Sequence, residues 1–155
     1  WRRRHFEGRD LVRTIALRFA ENFAPGCGTI AAHRTLIESH GYVWYGKLGA
    51  AVSRKIVEAI LDNDAPRFLL IHSGGQDRWW VHIDAVQRDT PPANEIPAYY
   101  RDKAADFGCW FKVKQFELAE KDVMSKCVVA SSGKVLSLAS RHSMSPYFII
   151  DYPAR

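Results

Sequence analysis

The chain has 155 residues, 47% hydrophobic and 25% charged, with 22 Lys and Arg against 17 Asp and Glu for a net charge of +5. One domain with its own core fits that length, and the composition is that of an ordinary globular protein, not a fibrous or low-complexity one. No apolar run reaches the length of a membrane span or resembles a secretion signal, and three scattered cysteines (Cys27, Cys109, Cys127) and six scattered histidines argue against a disulfide framework or a zinc site.

A cytoplasmic setting follows as the expectation, and the modest basic surplus favours a polyanionic partner through phosphate attraction. Because the chain opens at Trp1 without a methionine, it reads as a trimmed piece of a longer protein. Arg2, Arg3 and Arg4 come first, and residues 8–23 then read as a helix whose apolar stripe is Leu11, Val12, Ile15, Ala16 and Phe19. Arg9, Arg13 and Arg18 lie mostly off that stripe, on a solvated or phosphate-contacting face. After a Pro25-Gly26-Cys27-Gly28 break, Thr29 is an N-cap for a second helix ending at Gly41, with Ile30, His33, Leu36 and Ile37 inward.

Next comes Gly41-Tyr42-Val43-Trp44-Tyr45-Gly46-Lys47-Leu48-Gly49, a short strand. Glycine weakens a strand unless the backbone bends or something approaches closely, so these glycines beside a tryptophan fit either a core tryptophan on a bent strand or a site for a flat ligand. Ser53 caps a third helix predicted over residues 54–62. Strands are predicted over 67–72 and 78–86, joined by a Ser-Gly-Gly hairpin turn at 73–77. On the second of these, alternation puts Trp80, His82, Asp84 and Val86 on one face and the more apolar Trp79, Val81, Ile83 and Ala85 on the other, toward the core. A proline-rich loop over 90–97 leads to Tyr99 and Tyr100. A strand over 109–116, a turn or short helix over 117–126, a short strand over 127–129, a short helix over 134–140 and a last strand over 147–150 complete the chain. Helices first and hairpin-linked strands after predict an α+β domain on a small, curved, mainly antiparallel barrel with flanking helices.

The order of these pieces resembles the PUA-like superfamily, specifically its EVE and YTH branches. The resemblance covers residues 41–130 and rests on Val43-Trp44-Tyr45-Gly46, on the hairpin from Phe68 through Gly75 to Val86, and on Trp110-Phe111-Lys112-Val113 with the polar segment to Asp122. It divides the single domain into a basic helical extension over 1–28 and an EVE/YTH-like core over 29–155. The 87–107 loop departs from the YTH pattern, with Tyr99 and Tyr100 about where a second cage tryptophan stands.

The resemblance implies a non-catalytic reader that holds a modified base, flipped out or single-stranded, in an aromatic pocket. Its implied pocket residues are Trp44, Tyr45, Ser73, Trp80, Tyr99, Tyr100 and Trp110, and its implied phosphate contacts Lys47, Arg78, Lys112 and Lys114. No cofactor or metal is expected. The implied partner is nucleic acid, DNA ahead of RNA, in a restriction or defence system with a fused or associated NTPase or nuclease. An RNA reader and a protein-interaction module stay open as alternatives. Catalysis has thin support: His72, Ser73 and Asp84 invite a triad, but neighbours on a strand face apart, and no nucleophile elbow, P-loop or dinucleotide fingerprint is present.

Overall fold

Seven strands form one sheet in the order β2-β5-β4-β3-β1-β7-β6, and the computed structural model describes residues 11–19, 29–48, 50–72, 78–97, 105–143, 145 and 147–153. The elements are β1 (Leu11–Phe19), α1 (Thr29–His40), β2 (Val43–Leu48), α2 (Arg54–Leu61), β3 (Arg67–His72), β4 (Arg78–Gln87), β5 (Phe107–Leu118), α3 (Val123–Lys126), β6 (Val128–Val129), α4 (Leu136–His142) and β7 (Tyr147–Pro153). Every neighbouring pair is antiparallel except β1 with β3. The sheet bends until edge strand β2 approaches β7, where Lys47 Nζ lies 5.0 Å from the Tyr147 ring. Among the described residues it remains an open sheet with four flanking helices, which makes the fold α+β and mostly antiparallel as the sequence predicts.

The local signals act as their chemistry requires. Gly41 ends α1 at φ 86°, a backbone region that costs L side chains strain, and its N–H donates to Ile37 O at 2.7 Å. Ser53 Oγ accepts from the Ile56 N–H at the start of α2, 3.4 Å away. The inward positions of α1 (Ile30, His33, Leu36, Ile37) face the main core.

Residues 11–19 correct the first predicted helix: they form a strand paired with β3 on one side and β7 on the other. Thr14, Ile15, Ala16 and Leu17 are all buried, Ile15 and Leu17 in the concave core and Ala16 on the opposite side. A strand covered on both faces loses its period of two, and the resulting apolar run can mimic a helical stripe. The arginines of this segment also find partners within the fold. Arg13 makes a two-point contact with Asp151 of β7, both bonds 2.9 Å. Arg18 donates to the carbonyls of Ser140, Ser143 and Ser145 at the end of α4, at 2.8, 2.6 and 2.8 Å. The predicted 73–77 turn lies outside the described residues.

The concave side of the sheet, closed by α1 and α2, holds the main core around Phe68, Phe111, Val113, Ile15 and Ile60. Outside the curve are two separate clusters. One, beneath α3 and α4, contains Trp80, Tyr152, Leu136 and Met124; the other, at the β2 end, contains Trp44, Trp110, Phe107 and Ile96. The β4 register shifts between Ile83 and Ala85, leaving Asp84 as an extra residue. The alternation predicted for β4 holds up to Ile83 and then inverts, so that Val86 reaches the concave core and Ala85 the outer cluster.

Candidate functional site

Among the described residues β2 is an edge strand that pairs with β5 alone. Its alternation sends Val43 and Tyr45 into the concave core and Trp44 outward. In register, Trp44 faces Lys112 and Gly46 faces Trp110. The Trp110 indole occupies the space above Gly46, where an added Cβ would stand 2.9 Å from Trp110 Cζ3 and 2.9 Å from Phe107 Cγ. The clearance at Gly46 is therefore taken by the protein's own rings. Phe107 meets Trp110 edge-on, with centroids 5.0 Å apart and planes at 68°.

Over these rings runs segment 91–97, whose Ile96 is only 2% exposed. It ends a short 3-10 turn at Ala93–Glu95, and Glu95 Oε1 accepts from Trp44 Nε1 at 2.9 Å. The same carboxylate accepts a bond from the Tyr42 hydroxyl, the largest of the causes that raise the Tyr42 phenol above its ordinary value. Lys112 Nζ stands 4.6 Å over the Tyr42 ring, a cation on an aromatic face at the margin of the cluster. Lys114 is exposed and sits at the irregular step of β5, between Val113 and Gln115 as they pair with Ile83 and His82.

Of the aromatic residues predicted to share a pocket, Trp44 and Trp110 are brought together. Tyr45 is not: it points to the opposite face, 5.0 Å from the His33 ring and 6.1 Å from Phe68. Trp80 lies in the other outer cluster, its ring centroid 4.9 Å from that of Tyr152 with the planes tilted at 42°. Ser73, Tyr99 and Tyr100 lie outside the described residues, as does Gly49. Among the predicted phosphate contacts, Lys112 falls beside the Trp44 cluster, while Lys114 is exposed two residues further along β5. Lys47 is 4% exposed on the concave side and donates to Ala50 O at 2.7 Å; burial lowers its pKa. Arg78 stands at the far end of β4, partly buried.

Sequence reasoning missed Tyr42, Glu95, Ile96 and Phe107. Phe107 sits at the start of β5, before the point where the strand is first legible. Glu95 and Ile96 belong to a proline-rich loop whose inward residues no periodicity marks. Among the described residues no group of three or more His, Cys, Asp or Glu is placed to hold a metal ion, and no helix is long and apolar enough to cross a membrane.

No curated protein and no solved structure matches the chain significantly. A protein-family model described as Pua-like matches residues 15–145, a span that begins within β1 and takes in the segments carrying the sequence resemblance. With that match over most of its length, on an open, mostly antiparallel α+β sheet, the chain belongs to the Pua-like family.

Proposed function

We propose that this domain binds nucleic acid without catalysis and inspects one base, flipped out or single-stranded, at the Trp44 cluster. The observation that carries the reading is the setting of Trp44. Its indole is held by a carboxylate at 2.9 Å in an aromatic cluster separate from both larger cores, with a cation at the margin. Membership of the Pua-like family supports a nucleic-acid-binding module in general.

A base inside a duplex hides most of its edges, so a reader takes it from a single strand or flips it at a cost of a few kcal/mol. Stacking on an aromatic ring returns ~1–3 kcal/mol per base. A methyl group buried among such rings adds ~0.8 kcal/mol, and larger discrimination comes from leaving a buried polar group unpaired against the wrong base. In this reading the base replaces Ile96 over Trp44 and Phe107, Tyr99 or Tyr100 supplies a further wall, and Lys112 and Lys114 hold the strand. DNA with a methylated base, in a restriction or defence system with a fused or associated NTPase or nuclease, is the preferred setting. RNA and protein partners are the competing ones.

The test is a binding panel of oligonucleotides with different base modifications, DNA and RNA, single- and double-stranded. Trp44→Ala and the milder Trp44→Phe should erode preference for the modified base in that order, while Lys112→Ala weakens modified and unmodified strands alike. A folded Trp44→Ala protein that discriminates as well as the parent would sink the assignment. Affinity should fall steeply between low and moderate salt; a salt-insensitive complex would favour the protein-partner reading.

A further inference from the structure

We propose that the cleft between α2 and the C-terminal end of β4 is a phosphate-bearing subsite for the nucleotide that neighbours the inspected base. The source of that phosphate rests on the function proposed above; the chemistry of the cleft does not. The cleft is open, about 310 Å³ in volume, and lined by Arg54 and Val57 of α2, Val52 just before it, Val86, Gln87 and Arg88 of β4 and its extension, and Cys109 of β5.

Among the described residues no aspartate or glutamate lines it, and two arginines do. Elsewhere in the fold the arginines have internal work: Arg13 holds Asp151, Arg18 holds the end of α4, and Arg67 bonds Tyr152. Among the described residues Arg54 and Arg88 form no ion pair, and Arg88 has only a long 3.5 Å contact to Val52 O. The Cys109 thiol at the base of the cleft supplies no compensating anion. Burial raises its pKa, the largest of its causes, even though Lys47 and Arg88 act in the opposite direction.

An unbalanced pair of planar, forked donors suits a phosphate oxygen pair. The three valines offer the apolar surface that a sugar or base covers, and the volume is at the lower end of ligand pockets, sized for one nucleotide rather than a dinucleotide. Position joins the cleft to the Trp44 cluster. Gln87 pairs with Trp110, Cys109 precedes Trp110 on the same strand, and Ala85 packs against the outer rings. Cleft and cluster thus occupy opposite faces of one corner of the sheet, where a strand passing around its end meets both.

The phosphate can belong to a nucleic-acid strand or to a free nucleotide, and the experiment separates them. The full chain and its Arg54→Gln, Arg88→Gln and double variants are titrated with a labelled single-stranded oligonucleotide, with and without the modified base, across a salt series. Lys55→Gln, an exposed neighbour outside the cleft lining, is the control. Methyl NMR of Val52 and Val57 follows a nucleoside monophosphate and inorganic phosphate in parallel.

The double variant should bind modified and unmodified strands more weakly by the same factor, with the log–log salt slope reduced by about 0.7 for each phosphate that is no longer neutralised. Lys55→Gln should match the parent. If the parent shows no base preference yet the double variant still loses strand affinity, the base reading fails and the subsite stands. If strands do not bind but the nucleoside monophosphate shifts the valine methyls, and the double variant abolishes the shift, the phosphate subsite stands as a free-nucleotide site. The proposal is overturned if the folded double variant keeps its salt slope and neither phosphate compound moves those methyls, or if Lys55→Gln weakens binding as much as the arginine variants do.

Discussion

The two aromatic clusters on the outer face are built from the same parts and have different freedom. In each, an indole N–H donates to a glutamate, Trp44 to Glu95 at 2.9 Å and Trp80 to Glu120 at 3.4 Å, and a cation lies over a ring. In the Trp80 cluster the cation is Arg67, 4.0 Å from the ring centroid, and its Nε donates to Tyr152 at 3.1 Å. Glu117 stands between Arg67 and His82, whose Nε2 is 2.7 Å from the carboxylate. Two helices cover this cluster. The Trp44 cluster has a loop for a cover, and its cation, Lys112, makes no ion pair among the described residues. On the function proposed above, the cluster left able to meet a ligand is the one whose cation is not tied into an ion-pair network and whose cover is a loop.

Trp80→Ala should therefore be the most damaging change to stability, at roughly 3–5 kcal/mol by denaturant unfolding, while leaving nucleic-acid discrimination intact. A loss of discrimination in a folded Trp80→Ala protein would erase the distinction between the clusters. Gly46→Ala should cost about 1–3 kcal/mol, because the new methyl meets Phe107 and Trp110 at 2.9 Å and forces them aside. Thermal unfolding checks this, and an unchanged midpoint would show the outer cluster to be loosely packed. Glu95→Ala leaves the Trp44 N–H without its acceptor and should cost about 1 kcal/mol, with Glu95→Gln recovering most of it.

Glu120 extends the contrast to pH. Its pKa is lowered, chiefly by a backbone hydrogen bond and also by Lys126 and Trp80. A carboxylate depressed in the folded state stabilises above its unfolded value and loses that contribution as pH falls through the lower folded one. Stability should decline on acidification below the ordinary value of 4.5, and Glu120→Gln should flatten that decline. The smallest effect belongs to Arg13→Ala. Its ion pair with Asp151 is half exposed on the arginine side, so the cost should be under about 1 kcal/mol and shrink further with salt.

How much could be read beforehand depended on whether burial was one-sided. The helices α1 and α2 were legible from their caps and inward positions, and β3 and the first half of β4 from their apolar patterns. Strand β1 was not, because Ile15 and Leu17 point one way and Ala16 the other, and both directions are buried. The bulge at Asp84 is likewise invisible without its partner strand. At the site, Trp44 and Trp110 announced themselves as aromatics beside glycine and lysine. Whether Tyr45 and Trp80 belonged with them was a matter of strand face and sheet position, which composition does not carry. Arg54 and Arg88 come together only through the packing of α2 on β4.

The pairing of Leu11 with Pro153 and of Leu17 with Tyr147 sets the order in which this domain can be made. Strand β1 lies between β3 and β7, so it is an interior strand that waits for its second neighbour until nearly the whole described sequence exists. At ribosomal rates of about 5–20 residues per second, β1 would spend several seconds with one edge unpaired after leaving the exit tunnel. Such distant pairings also slow folding, since the chain loses loop entropy before the contacts that reward it form. A protein assembled this way completes its sheet as a late, cooperative event, and a chain lacking either β1 or β7 should accumulate as an aggregation-prone intermediate, not as a smaller working domain.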